Sequence, residues 1–209
     1  MESHLADKTK AVPERTLLET PRLFLIGYTP VSMRYLFESL PKEETMLVLG
    51  HRNEAEFQNE WTKYQNGYAS YNRSFLLFLM VDKESDKIIG RSGIHNWNKD
   101  HKRAELGYSI DDVAYRKKGL MREAVAAILD HAFCVLQLHR VEALVGAKNK
   151  DSLAIIGAFG FTQEGLLREH WWNGITHEDS LVFSLLKAEY PQHGANYDLR
   201  SESHTREGK

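Results

Sequence analysis

The stretch Arg116-Lys117-Lys118-Gly119-Leu120-Met121 combines three cations, one glycine and the start of an apolar segment with helical spacing. Such a turn aims several backbone N–H groups and a helix N-terminus at one spot. That spot suits phosphate, because the first turn of a helix has unpaired donors and a partial positive charge. Gly119 lets the backbone approach an anion closely, and Arg122 adds a further cation one turn on. Alone the pattern is weak, since basic helix starts are common on protein surfaces. It has neither the G-x-G-x-x-G spacing of a dinucleotide fold nor the G-x-x-x-x-G-K-[ST] of a P-loop.

Two further groups of residues follow. Asn149-Lys150-Asp151-Ser152 lies between an apolar strand-like run and a short helical one. Asp or Ser there reads as a helix cap, worth about 1 kcal/mol with no further role. With Asp151 as the cap, Asn149 precedes it and keeps its amide for a ligand against the strand end. Downstream, Phe159-Gly160-Phe161, Glu164-Gly165 and Asn173-Gly174 read singly as turns around a packed aromatic pair.

These groups need elements to hold them. RLFLIGY (22–28) reads as a first strand, and 31–40 and 54–68 read as helices. FLLFLMV (75–81) is a continuous apolar run, as expected of a strand buried on both faces. A turn at 82–86 leads to a strand over 88–95, and after a polar loop comes the strand 104–111. Residues 120–136 form a broad apolar helical face. Then follow a strand at 141–147, a helix at 151–159 stopped by Gly160, and strands at 161–170 and 178–186 joined at Asn173-Gly174. The class is α/β, or α+β by some criteria: a mostly antiparallel sheet entering a β–α–β–α–β tail. Residues 15–190 are expected to form a single domain, with 1–14 and 191–209 as flexible tails.

Composition narrows the setting. Of 209 residues, 42% are hydrophobic and 27% charged, a globular profile. The formal net charge of −2 gives no case for a nucleic-acid binder. One cysteine, Cys134, precludes an internal disulfide and fits a reducing compartment; beside Phe133 it is expected to be a packing residue. No run approaches a membrane span, and MESHLADKTK lacks the apolar core of a signal peptide, so the expectation is a cytoplasmic protein with no membrane partner. The ten histidines form no HxxxH or Cys/His cluster, and no metal is assigned.

Taken in order and spacing, the pieces resemble the GNAT superfamily of acetyl-CoA-dependent N-acetyltransferases. Within it they are similar to the Rim-type branch, which acetylates the N-terminal alanine or serine of ribosomal proteins. The resemblance runs from Thr20 to about Tyr190. It is carried by TPRL, IIGRSGIH, AELGYSID, YRKKGLMREA, Asn149 with Ser152, GFTQEG, WNG and SLVFSLLKAEY. The GNAT turn is usually Arg/Gln-x-x-Gly-x-Gly/Ala. Here its last position is Met121, whose N–H still donates.

The resemblance implies a central mixed, mostly antiparallel sheet of six to seven strands flanked by helices. It also implies a pose for acetyl-CoA. The pyrophosphate rests on the N–H groups of the turn Arg116, Lys117, Lys118, Gly119, Leu120 and Met121. The pantetheine arm lies along Leu106, Tyr108, Ser109 and Ile110 as an added strand, and Asn149 bonds it. The thioester reaches a gap where strands 104–111 and 141–147 splay apart.

Direct transfer needs a neutral amine, an oxyanion donor and a proton for the leaving thiolate. An α-amine with a pKa near 7.8 is roughly one quarter neutral at pH 7.4, a lysine only about one part in a thousand. Positioning then supplies much of the rate, with backbone N–H near Tyr108 to Ile110 for the oxyanion. Glu105 is the candidate base, a mid-strand carboxylate that otherwise needs a salt bridge to Arg103 or another cation. Many GNAT enzymes place a Tyr acid seven residues after the Asn. Here that position is Ile156, and Ser152 is the substitute, unless it only serves the first helical turn.

Trp97, Trp171 and Trp172 are candidates for a peptide-end pocket, with core packing or a homodimer seam as the alternative. Glu178 and Asp179 are candidates at the cleft border, with a solvated strand edge as theirs. The acceptor is a protein N-terminal α-amine or a small-molecule amine such as an amino sugar, polyamine or antibiotic. A non-catalytic acyl-CoA-binding module is the remaining reading.

Overall fold

The computed structural model describes residues 4–67 and 73–190. Five successive strands pair antiparallel: β1 (Thr16–Glu19), β2 (Leu23–Tyr28), β3 (Ser74–Asp82), β4 (Lys87–Asn98) and β5 (Arg103–Ile110). β6 (Arg140–Gly146) then joins β5 in parallel. β8 (His177–Leu186) pairs antiparallel with β6, and β7 (Thr162–Trp172) forms the outer edge. The eight-stranded order among the described residues is β1-β2-β3-β4-β5-β6-β8-β7, one strand more than the upper expectation. β1 is the strand that the sequence did not announce: TLLE is short and sits at an edge.

The alternation of β2 explains why its whole run is buried. Leu23 and Leu25 face one core, while Phe24, Ile26 and Tyr28 face the other. The first core lies under α5 (Leu120–Asp130), whose Val125, Ile128 and Leu129 meet Phe78, Met80 and Leu106. The second lies under α2 (Pro30–Ser39) and α3 (Lys42–Leu49), where Met33, Leu36 and Val48 meet Ile26 and Leu79. α4 (Glu54–Gln65), capped by Asn53, runs beside them, and α6 (Lys150–Ala158) follows β6. Among the described residues no helix is long and apolar enough to cross a membrane.

Several expectations change. The segment expected to be a loose N-terminal tail contains a short helix, α1 (His4–Lys8), and buries Leu5, Thr9 and Val12, so apolar spacing in a polar stretch docks it on the second core. The other tail, 191–209, lies outside the described residues, as does Tyr68. α3 was not anticipated, because KEETMLVL has little one-sided patterning. The helix expected over 120–136 is α-helical to Asp130 and then loosens into one π turn, His131–Val135. Cys134 on that turn is exposed rather than packed.

Candidate active site

β5 and β6 pair only where Arg103, Ala104 and Glu105 meet Arg140, Val141 and Glu142. Beyond that, β5 stays with β4 as far as Ile110 opposite Gly90, while β6 stays with β8 as far as Gly146 opposite Ser180. The two strands therefore diverge. The gap is a cavity of 220 Å³ with Glu105, Leu106, Gly107 and Tyr108 on one wall and Ala143 to Gly146 on the other. Asn149 and Ser152 close its far side. A strand edge released from its neighbour offers backbone donors and acceptors to an extended ligand.

The turn after β5 is stiffened from within. The Asp112 carboxylate accepts from Ala114 N–H (2.9 Å) and starts a 3-10 turn, Val113–Tyr115. Arg116 folds back, donating from Nε (3.2 Å) and Nη2 (2.9 Å) to the Ile110 carbonyl. Its guanidinium thus holds the turn to the strand, and because the acceptor is a neutral carbonyl its positive charge remains beside the turn. Lys117 (φ +59°) and Gly119 (φ +80°) are both left-handed, and α5 begins with no side-chain cap. The N–H groups of its first turn stay available to an anion. Leu120 and Met121 send their side chains into the core, so the bulk of Met121 does not obstruct the backbone face.

Asn149 is itself the cap of α6: its Oδ1 accepts from Ser152 N–H at 3.1 Å. The capping role assigned to Asp151 therefore moves to Asn149. The Asn149 Nδ2 retains no partner among the described residues and remains for a ligand. Ile156 is 0% exposed in the core, so no acid stands at that position. Tyr108 instead reaches this region from β5, its phenol donating to the Ser152 carbonyl at 3.4 Å. Burial raises its pKa and outweighs the lowering effect of the Ser152 contact, so the phenol keeps its proton at neutral pH.

A second cavity, of 430 Å³, opens on the α2 and α4 side of the sheet. Met33, Phe75, Leu77 and Ile94 make it largely apolar, and Glu60, Arg91, His95 and Ser109 are its polar lining. The two cavities share His95, Gly107 and Tyr108. Register explains the meeting point. Arg91, Gly93 and His95 stand opposite Ser109, Gly107 and Glu105, so all six share one face. Gly107 leaves room for the His95 ring; a Cβ there would come within 3.0 Å of His95 Nε2. The Glu105 side chain, 17% exposed, lies 3.8 Å from His95 Nε2 and accepts from Asn96 Nδ2 at 2.9 Å. Arg103 pairs with Glu142 (3.2 Å), so the expected partner of Glu105 is replaced by His95 and Asn96. Sequence reasoning missed His95, Arg91 and Glu60. The signal for the first two was the alternation in IIGRSGIH, readable only with the β4–β5 register.

The other substrate candidates do not meet here. Trp97 packs against the first core, with Lys99 5.0 Å from its ring centre. Trp172, 53% exposed, tilts against His177, and Glu178 accepts from Asn173 Nδ2 at 3.0 Å within the β7–β8 hairpin. Asp179 accepts from Glu169 N–H. None of these, nor Trp171, lines either cavity. Ser109 does, with its hydroxyl bonded to Asp111 at 3.1 Å.

Comparison with known proteins agrees with this geometry. A family model described as an acetyltransferase (GNAT) domain matches residues 22–162. An N-acetyltransferase of Bacillus subtilis, YoaA, is 28% identical over 172 residues, 82% of this chain and 97% of the relative. Among solved structures, the ribosomal-protein-S5-alanine acetyltransferase of Vibrio fischeri superposes with a TM-score of 0.60 at 21% identity, covering 84% of this chain and 99% of that one. The spermidine N-acetyltransferase of Vibrio cholerae, solved with CoA and spermine, gives 0.56 at 23% identity, covering 64% and 77%. With a splayed β5–β6 pair, an uncapped helix start after the strand and a family model spanning most of the sheet, the chain belongs to the GNAT acetyltransferase family and is an N-acetyltransferase.

Proposed function

We propose that the protein transfers acetyl from acetyl-CoA directly to the α-amine of a protein N-terminus. The observation that carries this reading is the junction of the two cavities at His95, Gly107 and Tyr108, beside the Glu105 carboxylate. The N–H groups from Lys117 to Met121 would hold the pyrophosphate, and the edge of β5 from Leu106 to Ile110 would take the pantetheine, with Asn149 Nδ2 donating to it. The acceptor would enter through the larger cavity.

The chemistry then balances with the residues at the junction. The amine nitrogen attacks the thioester carbon, a C–N bond forms and the C–S bond breaks. Glu105, with His95 beside it, takes the proton that the nitrogen loses. Backbone N–H groups near Tyr108 to Ile110 stabilise the oxyanion. The thiolate receives its proton from the Tyr108 phenol or the Ser152 hydroxyl. The polyamine reading has Glu60 in the larger cavity and Glu105 in the adjoining smaller one in its favour, but Arg91 faces the larger cavity with Glu60, and a polycation gains little from a lining of mixed sign.

Release of free thiol from acetyl-CoA, followed with free-amine peptides, N-terminally blocked peptides containing lysine, and spermidine, tests the reading. Free-amine peptides should be the best acceptors, and Glu105→Gln should cut kcat by about a hundredfold. Turnover of spermidine with no peptide used, or equal use of blocked and free peptides, would overturn it.

A further inference from the structure

Arg91 has an uncommon environment for a partly buried cation. Its Nη2 donates to the Leu49 carbonyl (3.2 Å) at the C-terminal end of α3. Among the described residues no carboxylate comes within ion-pair distance of it. The nearby acidic groups are engaged elsewhere: Glu56 accepts from Arg52 Nε at 2.9 Å, and Glu60 pairs with Lys63 at 3.3 Å. Ser109, opposite Arg91 across the β4–β5 register, is bonded to Asp111. The field of Arg91 is felt at His51, where burial first and the charge of Arg91 second hold the imidazole below its ordinary range. A guanidinium does not shed its proton, and its planar fork matches a carboxylate. An unpaired cation in a mostly apolar cavity is costly until an anion meets it.

We infer that Arg91 reads the acceptor, and that the acceptor carries a carboxylate set a short distance from its reacting amine: an acidic side chain near the free end of a peptide. The inference rests on the acetyl-transfer reading above. Arg91 is two strand positions from Gly93 and four from His95, which spans about 7–13 Å along β4. In an extended peptide each residue advances about 3.3–3.6 Å, so a carboxylate on the second residue reaches that zone with the amine at the junction. The apolar lining from Met33, Phe75 and Leu77 strengthens such a contact by excluding water.

The test compares acetyl transfer to peptides differing only in the second residue (Asp, Ala or Lys) and to the matched pair γ-aminobutyrate and butylamine, in the wild type, Arg91→Gln and Arg91→Glu. The wild type should prefer Asp over Ala by at least about tenfold in kcat/KM, carried by KM, with Lys poorer still. Arg91→Gln should level the three peptides, and Arg91→Glu should favour Lys. If Arg91 only braces α3 through Leu49, its loss changes all acceptors by the same factor. That result overturns the inference, as does equal use of the three peptides by the wild type. If no peptide is used, the N-terminal reading fails on its own and the small pair decides. Preference for γ-aminobutyrate, lost in Arg91→Gln, upholds the role of Arg91, and its absence overturns it. Turnover of spermidine alone, or of nothing, overturns both.

Discussion

The Arg22 guanidinium meets the Glu123 carboxylate with Nε 2.7 Å from Oε2, joining residues 101 positions apart in the chain. The same carboxylate accepts from Arg22 N–H (2.8 Å) and Thr20 Oγ1 (2.6 Å), while Arg22 Nη1 donates to the Lys118 carbonyl (3.0 Å). TPRL thus clamps the first turn of α5 and the glycine turn together. Burial opposes ionisation of Glu123, but the bonds from Thr20 and Arg22 outweigh it and hold its carboxyl below the usual range. Arg22→Ala or Glu123→Gln should raise KM for acetyl-CoA by roughly tenfold with a smaller change in kcat, since a hydrogen bond to a charged group contributes about 1.5–3 kcal/mol and only part of that reaches the turn. Because the folded carboxyl is the more acidic one, the clamp's stability is present above the ordinary carboxylate pKa and is lost as pH falls through the folded value. Steady-state kinetics and melting against pH check both effects.

Gly119→Ala should cost about 1–2 kcal/mol in stability from the left-handed backbone alone, because the added Cβ meets only Arg22 Nη2, at an ordinary 3.6 Å. Gly119→Glu should in addition weaken CoA binding by placing a carboxylate at the anion site. Calorimetric titration with CoA reads the difference, and an unchanged affinity in Gly119→Glu would remove the pyrophosphate from this turn.

Tyr108→Phe keeps the ring and removes the phenolic proton at the gap. It should lower kcat by about a hundredfold or more, with KM for acetyl-CoA nearly unchanged, whereas Ser152→Ala should have the smaller effect. The reverse ranking would assign the thiolate proton to Ser152.

His131 is 5% exposed, its Nδ1 has no partner among the described residues, and its ring meets Phe78 edge-on. Burial pushes its pKa down to about 4. The unfolded chain therefore takes the proton first. Stability is full above about pH 6.5 and falls as pH drops toward about 4, by roughly 3 kcal/mol in all and about 2 kcal/mol by pH 5. Urea unfolding at neutral pH and at pH 5 should show the drop, and His131→Phe should flatten it.

The parts that local pattern controls were legible in the sequence. FLLFLMV had to be a doubly buried strand, and the spacing from Leu120 had to bury one helical face. The gap between β5 and β6 followed from resemblance, and the pairing that stops at Glu105 and Glu142 has that form. What depended on pairing between segments was not legible. Asn149 and Asp151 are both good caps, and only the backbone path chooses between them. His95 meets Glu105 because the β4–β5 connection fixes a register that a one-residue slip would abolish. The tryptophans stayed ambiguous for a physical reason: size and amphipathic character suit a pocket, a core or a surface equally, and here Trp97 packs against the first core while Trp172 is exposed on β7.

Gly107 lines both cavities, a strand residue with no side chain. The smaller cavity opens toward α6 and the larger toward α2 and α4, so under the proposed assignment of donor and acceptor neither ligand lies across the path of the other. That assignment lets both substrates be resident at once, arrive in either order and leave separately. The kinetic scheme that such a doorway supports is a sequential one with random order, in which no acetylated form of the enzyme is needed.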